Sequence, residues 1–132
     1  MSARYRIDVE QHLVITELWG ECSDADILNV YHALRADPAF APTFDEVLDM
    51  RRVCSFVAAG SVVRDAGSGV YAPGVRRAVL TCPGFLYGMA RMFGSGAESR
   101  GHVVAIFATP CEAERWLGRT VGTSGLPERL DC

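Results

Sequence analysis

The sequence predicts an α/β domain in which helices pack on a mixed sheet of about five strands. Two uncharged apolar runs, Ala78 to Thr81 and Val103 to Phe107, have the composition of strands buried on both faces. A helical pattern lies between them, so the strands of this strand–helix–strand unit should be parallel. Near the N-terminus, two further runs separated by a polar turn predict an antiparallel hairpin.

Three strands are predicted before that unit, namely residues 5–8, 12–18 and 47–50, of which the first two form the hairpin. The stretch from Arg51 to Gly60 fits neither a helix nor a strand clearly. Ser61 is the predicted cap of a short helix that ends before Gly67. The glycine-rich residues from there to position 75 should form a loop.

The first helix is predicted by its N-terminal signals. The hydroxyl of Ser23 can accept a hydrogen bond from a helix N–H group, and Asp24 and Asp26 place negative charge at the positive end of the helix dipole. The helix should end at Asp37, because the residue before a proline avoids the helical region.

Two helices are predicted in the second half of the chain. Phe85 to Phe93 has apolar residues on one face, and Gly94 is the predicted C-terminal stop. Pro110 to Leu117 has Pro at the first helical position, preceded by Thr109, which forms a capping box with Glu112.

Composition restricts the classes of function. The chain has 132 residues, 49% of them hydrophobic, and a net charge of −3, which suits one globular domain. There is no apolar run long enough to span a bilayer and no basic stripe, so neither a transmembrane segment nor nucleic-acid binding is predicted. The N-terminus has no apolar signal region, which predicts a cytoplasmic protein. All 13 basic residues are Arg, which excludes Lys-based covalent chemistry.

Four segments share the pattern of a known family. They are Tyr87 to Phe93 after a buried strand, Val47 to Arg51, Gly20 ahead of the first helix, and Phe107 with Glu112-Ala113 and Trp116-Leu117-Gly118. In these segments, which span roughly residues 5–118, the chain resembles the SpoIIAA-like proteins, bacterial relatives of the STAS (sulfate transporter and anti-sigma-factor antagonist) domain. The resemblance implies a single STAS-like domain over residues 1–132. The composition after Gly118, rich in Gly, Thr and Ser with Pro127, predicts a frayed tail from about residue 119.

The resemblance also implies a non-enzymatic regulatory module that binds a partner protein. In the partner-switching antagonists of this group, a serine two residues after the strand-ending Asp is phosphorylated. Arg51 occupies that position here, so Ser55 and Ser61 are the candidate phosphorylation sites. The alternative is that both serines only cap or line a loop.

The crevice beyond the carboxyl ends of the parallel strands is the expected ligand site in a sheet of this kind. Arg51 and Arg52 follow the central strand, and Tyr87 and Arg91 lie on the helix after the next strand. Guanidinium groups placed there can hold a partner protein or an anionic ligand. In the alternative interpretation, Arg91 pairs with a nearby acid such as Glu98 or is solvated.

Cysteines follow four predicted strand ends, at Cys22, Cys54, Cys82 and Cys111. The chain has five cysteines, an odd number, and no CxxC pairs, which favours reduced thiols over a disulfide framework. The four positions are spread over several strands, too widely to ligate one ion, and no metal or cofactor is predicted. Cys54 and Cys82 form the candidate redox pair, the alternative being that the cysteines are simply packed.

The histidines do not indicate an enzyme. His12, His32 and His102 lack metal-ligand spacing, and no nucleophile, base and orienting acid are neighbours in the sequence.

The first hypothesis is therefore a protein-interaction module, with a surface formed by residues 51–61 and the helix from Phe85. The second is a small-molecule or lipid carrier with a pocket at the strand ends, gated by residues 56–75. The Met- and Phe-rich helix from Phe85 is compatible with a self-complementary patch and a homodimer, the alternative being that these residues pack in the core.

Overall fold

Five strands form one mixed sheet in the order β1-β2-β3-β4-β5. The computed structural model describes residues 2–57 and 60–121. β1 is antiparallel to β2, and the other neighbours are parallel, which confirms the predicted fold class. The elements are β1 (Ala3–Asp8), β2 (Leu13–Ser23), α1 (Asp24–Ala36), β3 (Asp45–Val57), α2 (Gly60–Arg64), β4 (Arg76–Leu80), α3 (Phe85–Glu98), β5 (Val103–Phe107) and α4 (Pro110–Leu117).

Helices cover both faces of the sheet. Side chains alternate along each strand, so neighbouring residues enter opposite core layers. Val14, Leu48 and Val79 belong to the layer that contains buried residues of α1, α2 and α3. The other layer is smaller and packs against α4 through Leu13, Ile15, Val47, Ala78, Leu80, Ala113 and Leu117. None of the helices in the described ranges is long and apolar enough to cross a bilayer.

The two central strands are longer than their sequence pattern predicts. β2 and β3 pair from Leu13 and Asp45 to Ser23 and Val57, with irregularities in the register near Trp19 and Gly20. The predicted end of the third strand at residue 50 is wrong, because Arg51 stays in the strand and forms an ion pair with a neighbouring carboxylate. Arg51 and Arg52 therefore lie within β3 and not after it.

The helix ends predicted from capping signals are confirmed for α1 and α4. Ser23 and Asp26 form a reciprocal capping box at the start of α1, and Thr109 and Glu112 do the same at α4. Gly118 ends α4 in the left-handed region, with φ of 70°.

The predicted end of α3 at Gly94 is wrong, since the helix continues to Glu98. Gly94 and Gly96 serve close packing instead. A Cβ atom on Gly94 would lie 3.3 Å from Val104 Cγ1, and one on Gly96 only 1.9 Å from the Arg64 carbonyl oxygen. A local glycine signal cannot distinguish a helix end from a helix contact, because the neighbouring element is distant in the sequence.

Two short segments differ in detail from expectation. α2 begins at Gly60, so Ser61 lies inside its first turn and does not precede it.

Beyond α4, Arg119 forms an ion pair with Asp45, and Val121 is buried in the layer beneath α4. The rest of the predicted frayed tail, residues 122–132, lies outside the described residues.

Candidate functional site

A groove with a volume of about 340 Å³ separates α1 from α2 and the loop that follows it. We call it the α1–α2 groove. Its lining residues are Ile27, Leu28, Tyr31, His32 and Arg35 on α1, and Ser61, Val62, Asp65, Ala66, Gly67, Gly69 and Val70 opposite. The wall on α1 exists because one helix presents Leu28, His32 and Arg35 at spacings of three and four residues.

The α1 wall of this groove combines apolar surface with unpaired charge. The Leu28 side chain is 57% exposed, whereas the neighbouring Ile27 is buried in the core. Neither His32 nor Arg35 has a side-chain hydrogen bond or ion pair with any residue in 2–57 or 60–121. Such a wall can accept an apolar side chain together with an acidic one.

A buried ion pair lies behind the floor of the groove. Arg77 and Glu46 are both fully buried, and their side chains meet across the neighbouring strands β4 and β3. Nε of Arg77 lies 2.8 Å and Nη2 lies 2.7 Å from Oε1 of Glu46. We call these two residues and their hydrogen-bonding neighbours the Arg77 network.

Hydroxyl groups satisfy the remaining oxygen of Glu46. Oε2 accepts hydrogen bonds from Thr16 Oγ1 at 2.7 Å and from the Tyr31 hydroxyl at 2.9 Å, while that hydroxyl accepts one from Arg77 Nη2 at 3.2 Å. Burial, reinforced by the Glu46 carboxylate, raises the pKa of Tyr31 well above its usual value. The phenol therefore keeps the proton that it donates to Glu46.

Aromatic rings and a histidine complete the surroundings of Arg77. The ring centroids of Phe93 and Tyr71 lie 4.5 Å and 4.7 Å from its Cζ atom. His102 Nδ1 lies 3.5 Å from Arg77 Nη1, and Nε2 lies 3.2 Å from the Tyr71 carbonyl oxygen. A neutral imidazole with its hydrogen on Nε2 satisfies both contacts. Burial and then the Arg77 charge lower the pKa of His102, which favours that neutral form.

Gly67 joins the groove to the Arg77 network. Its φ of 68° is in the left-handed region, and a Cβ atom there would lie 2.6 Å from both Arg77 Nη2 and Tyr31 Cε1. The loop backbone therefore closes directly over the ion pair. The charges of Arg77 and Glu46 are paired and shielded from the groove, and Tyr31 is the member of the Arg77 network that lines it.

Sequence reasoning missed this network. The predicted strands began at Val47 and Ala78 and so left out Glu46 and Arg77, although both residues occupy strand positions that are fully buried. The sequence does show a charged residue next to each of two apolar runs. That these two residues form an ion pair depends on the strand order, because Glu46 and Arg77 are 31 residues apart and meet only through β3–β4 pairing.

A second cavity, of about 390 Å³, lies where the sequence predicted a ligand site. This strand-end crevice follows the carboxyl ends of β4 and β5 and is lined by Thr81, Cys82, Pro83, Gly84, Tyr87, Ile106, Phe107 and Ala108. Of the predicted gate, the described residues 56, 57 and 60–75 do not line this crevice. Val63, Tyr71 and Val75 anchor that segment in the core, over α1 and β4.

The four predicted binding residues do not form one site. Arg51 is buried, with Nε and Nη2 each 2.9 Å from an oxygen of Asp49. Arg52 lines a separate cleft beside Trp19. Tyr87 is 44% exposed in the strand-end crevice, and Arg91 is exposed on α3. A role of these residues in binding a partner or an anion stays a prediction.

The candidate phosphorylation sites differ in their surroundings. Ser61 is exposed in α2 and lines the α1–α2 groove, whereas Ser55 is half-buried within β3. A kinase can reach Ser61 more easily, and a phosphate there would enter the groove. Phosphorylation of either serine stays a prediction.

The cysteines occupy different environments. Cys22 is buried, whereas Cys54 and Cys111 are exposed, and these three are free thiols. Cys82 is buried at the end of β4, with its sulfur 3.8 Å from the Arg51 carbonyl oxygen. The redox pairing of Cys54 with Cys82 stays a prediction. Among the described residues, no group of three or more His, Cys, Asp or Glu side chains is placed to hold a metal ion.

Cys22 is expected to resist alkylation in the folded protein. Burial, with a smaller contribution from Asp26, raises the pKa of its thiol to about 11, and only the thiolate is nucleophilic. Timed treatment with iodoacetamide followed by peptide mass spectrometry should show Cys54 and Cys111 modified first. The same treatment in denaturant should remove the difference, and equal rates in the native protein would contradict the burial of Cys22.

Comparison with known proteins identifies the fold. No family model matches the chain, and no curated protein does. A solved structure from Shewanella loihica PV-4, described as an uncharacterized protein from the DUF3478 family with a SpoIIAA-like fold, is similar with a TM-score of 0.61 and 15% sequence identity. The similarity covers 88% of this chain and 93% of that chain. The chain therefore has a SpoIIAA-like fold, which confirms the resemblance seen in its sequence.

Proposed function

We propose that this SpoIIAA-like domain is a regulatory protein-interaction module that binds its partner in the α1–α2 groove. The observation that carries the proposal is the α1 wall, where exposed Leu28 adjoins the unpaired side chains of His32 and Arg35. An exposed apolar side chain beside a guanidinium group that has no partner among the described residues supports a recognition surface, because both groups can contact a partner protein without breaking a contact of the isolated domain.

The chemistry of the groove selects the kind of partner. Its apolar lining, including Ile27, Val62 and Val70, suits an aliphatic or aromatic side chain. Arg35 suits a carboxylate near that side chain, because guanidinium binds carboxylate through paired hydrogen bonds. We therefore propose that the partner contributes a segment with an apolar anchor next to an acidic residue. Beneath the groove, the Tyr31 hydroxyl donates to Glu46 and accepts from Arg77, which fixes the orientation of its side chain.

A random peptide library displayed on phage tests this preference. Selection on the folded domain should enrich sequences with an acidic residue beside an apolar one, and their affinity should fall with added salt. Arg35→Glu should weaken the best peptide by at least about tenfold, since attraction is replaced by repulsion. Leu28→Ala should weaken it as well, through lost apolar contact.

Arg91→Glu and Tyr87→Ala are the matched controls, because both residues are exposed on α3 and lie outside the groove. They also test the surface predicted from the sequence, formed by residues 51–61 and α3. If these controls weaken binding as much as Arg35→Glu does, the surface on α3 replaces the groove. Peptides whose binding is unchanged in every variant would overturn both assignments.

A second candidate function is a small-molecule or lipid carrier, supported by the strand-end crevice. Its lining is mostly apolar and includes Ile106, Phe107 and the ring of Tyr87. Native mass spectrometry of gently purified protein should then show a bound apolar ligand that is absent after denaturation. A bare chain, together with no thermal shift across a fatty-acid panel, would contradict the carrier function.

A further inference from the structure

The two edges of the sheet differ in charge. β1 is one edge strand, and it carries Arg4, Arg6 and Asp8, which discourage pairing with another chain. β5 is the other edge strand, and its sequence Val-Val-Ala-Ile-Phe contains no charged residue and no proline. Val103 is 49% exposed, and the other four residues are half-buried. Proteins usually protect an edge of this kind, and within residues 2–57 and 60–121 no further strand pairs with β5, so this edge is a candidate interface.

The hydrogen bonds of β5 show which backbone groups are open. Val103 donates its N–H to the Val75 carbonyl at 2.8 Å, and the Phe107 carbonyl accepts from Thr81 N–H at 3.0 Å. In a parallel ladder both groups of one residue point to the same side, and successive residues alternate. Val104 and Ile106 therefore direct their N–H and C=O groups away from β4, towards the open edge.

We propose that β5 pairs antiparallel with β5 of a second copy of this chain, giving one continuous sheet across a symmetric dimer. The two-fold axis passes between the two Ala105 residues. Val104 then faces Ile106 of the second copy, and each such pair exchanges both of its N–H···O bonds. Val103 faces Phe107, which is a favourable cross-strand combination of β-branched and aromatic side chains.

A second copy suits this edge better than an unrelated strand, because the side-chain pattern is self-complementary. Large residues flank the small Ala105, so the central pair leaves room where the backbones approach most closely. No like charges meet along the pairing, since the strand is neutral. α1 packs on β1 and β2 at the other edge, so the dimer leaves the α1 wall of the groove uncovered. The inference does not depend on the proposed function.

The pairing predicts a weak, concentration-dependent dimer, because one short strand pair buries less than a standard interface. Sedimentation equilibrium of the wild type should show a monomer–dimer equilibrium. Ala105→Lys and Ala105→Glu should each weaken the dimer by about tenfold or more, because like charges then lie opposite each other. An equimolar mixture of the two variants should restore a heterodimer, which native mass spectrometry identifies by its mass.

Ala36→Lys and Ala36→Glu are matched controls, since this alanine is exposed at the end of α1, and they should leave the equilibrium unchanged. Circular dichroism establishes that each variant is folded. Amide hydrogen exchange of the wild type gives a second readout that needs no variant: protection of Val104 and Ile106 should rise with protein concentration, while Ala105 stays protected throughout. A wild type that remains monomeric up to about 1 mM, or a dimer unaffected by Ala105→Lys, overturns the proposal.

Discussion

Arg77→Met is expected to lower the free energy of unfolding by about 3–5 kcal/mol, because it leaves the fully buried Glu46 carboxylate without its cation. The aliphatic part of the side chain is nearly preserved, so the loss reports mainly on charge and hydrogen bonding. Urea denaturation followed by circular dichroism measures the change through the shift of the midpoint at constant slope.

Arg4→Met is the matched control for this experiment. Arg4 forms an ion pair with Glu17 at 3.1 Å, but its side chain is 57% exposed, so the expected loss is below about 1 kcal/mol. The double variant Arg77→Met/Glu46→Gln should regain part of the lost stability, because the amide oxygen still accepts from Thr16 and Tyr31 and no charge is buried. If Arg77→Met loses no more stability than Arg4→Met, the Arg77 network does not hold the groove floor in place.

Gly96→Ala is expected to lower the free energy of unfolding by about 3 kcal/mol or more, because the new methyl group would overlap the backbone of α2. Its Cβ atom would lie 1.9 Å from the Arg64 carbonyl oxygen and 2.7 Å from the carbonyl carbon. Backbone atoms cannot rotate away as a flexible side chain does, so α2 and α3 must separate. Faster amide exchange in α2 than in β2 would show that the damage is local.

Gly88→Ala tests the same substitution in the same helix without a neighbour. A Cβ atom at Gly88 has no heavy atom within 4 Å among the described residues. Alanine should therefore raise stability by about 0.5–1 kcal/mol, through better helix propensity and a smaller entropy loss on folding. A loss of similar size in both variants would show that the contact between α2 and α3 is not the cause of the loss in Gly96→Ala.

The elements best predicted from the sequence are those that carry their own boundary signals. α4 begins at the Thr109 and Glu112 capping box and ends at Gly118, all within one short segment. α1 is marked in the same way by Ser23 and Asp37. These signals act between residues at most a few positions apart, so an unaligned sequence contains them in full.

The candidate site was harder to predict because its parts come from distant segments. The strand-end crevice lies where the topology of parallel strands places it, but the predicted residues are not together there. Arg51 is buried against Asp49, Arg52 lines a separate cleft, and only Tyr87 lines the crevice. The α1–α2 groove was not predicted, although Leu28 and Arg35 are visible on one helix. Their exposure depends on how α2 and the following loop pack against α1.

By itself, the sequence determined the α/β class, the N-terminal hairpin, the parallel second half and the ends of two helices. These follow from apolar periodicity and from hydrogen-bonding groups close together in the chain. Only the tertiary structure decided that Arg77 is a core residue, that Gly94 and Gly96 are contacts and not helix ends, and that β5 is an edge strand of the described sheet. The physical reason is that the role of a charge, a glycine or a strand edge depends on what lies opposite it, and that neighbour is set by strand order and helix packing.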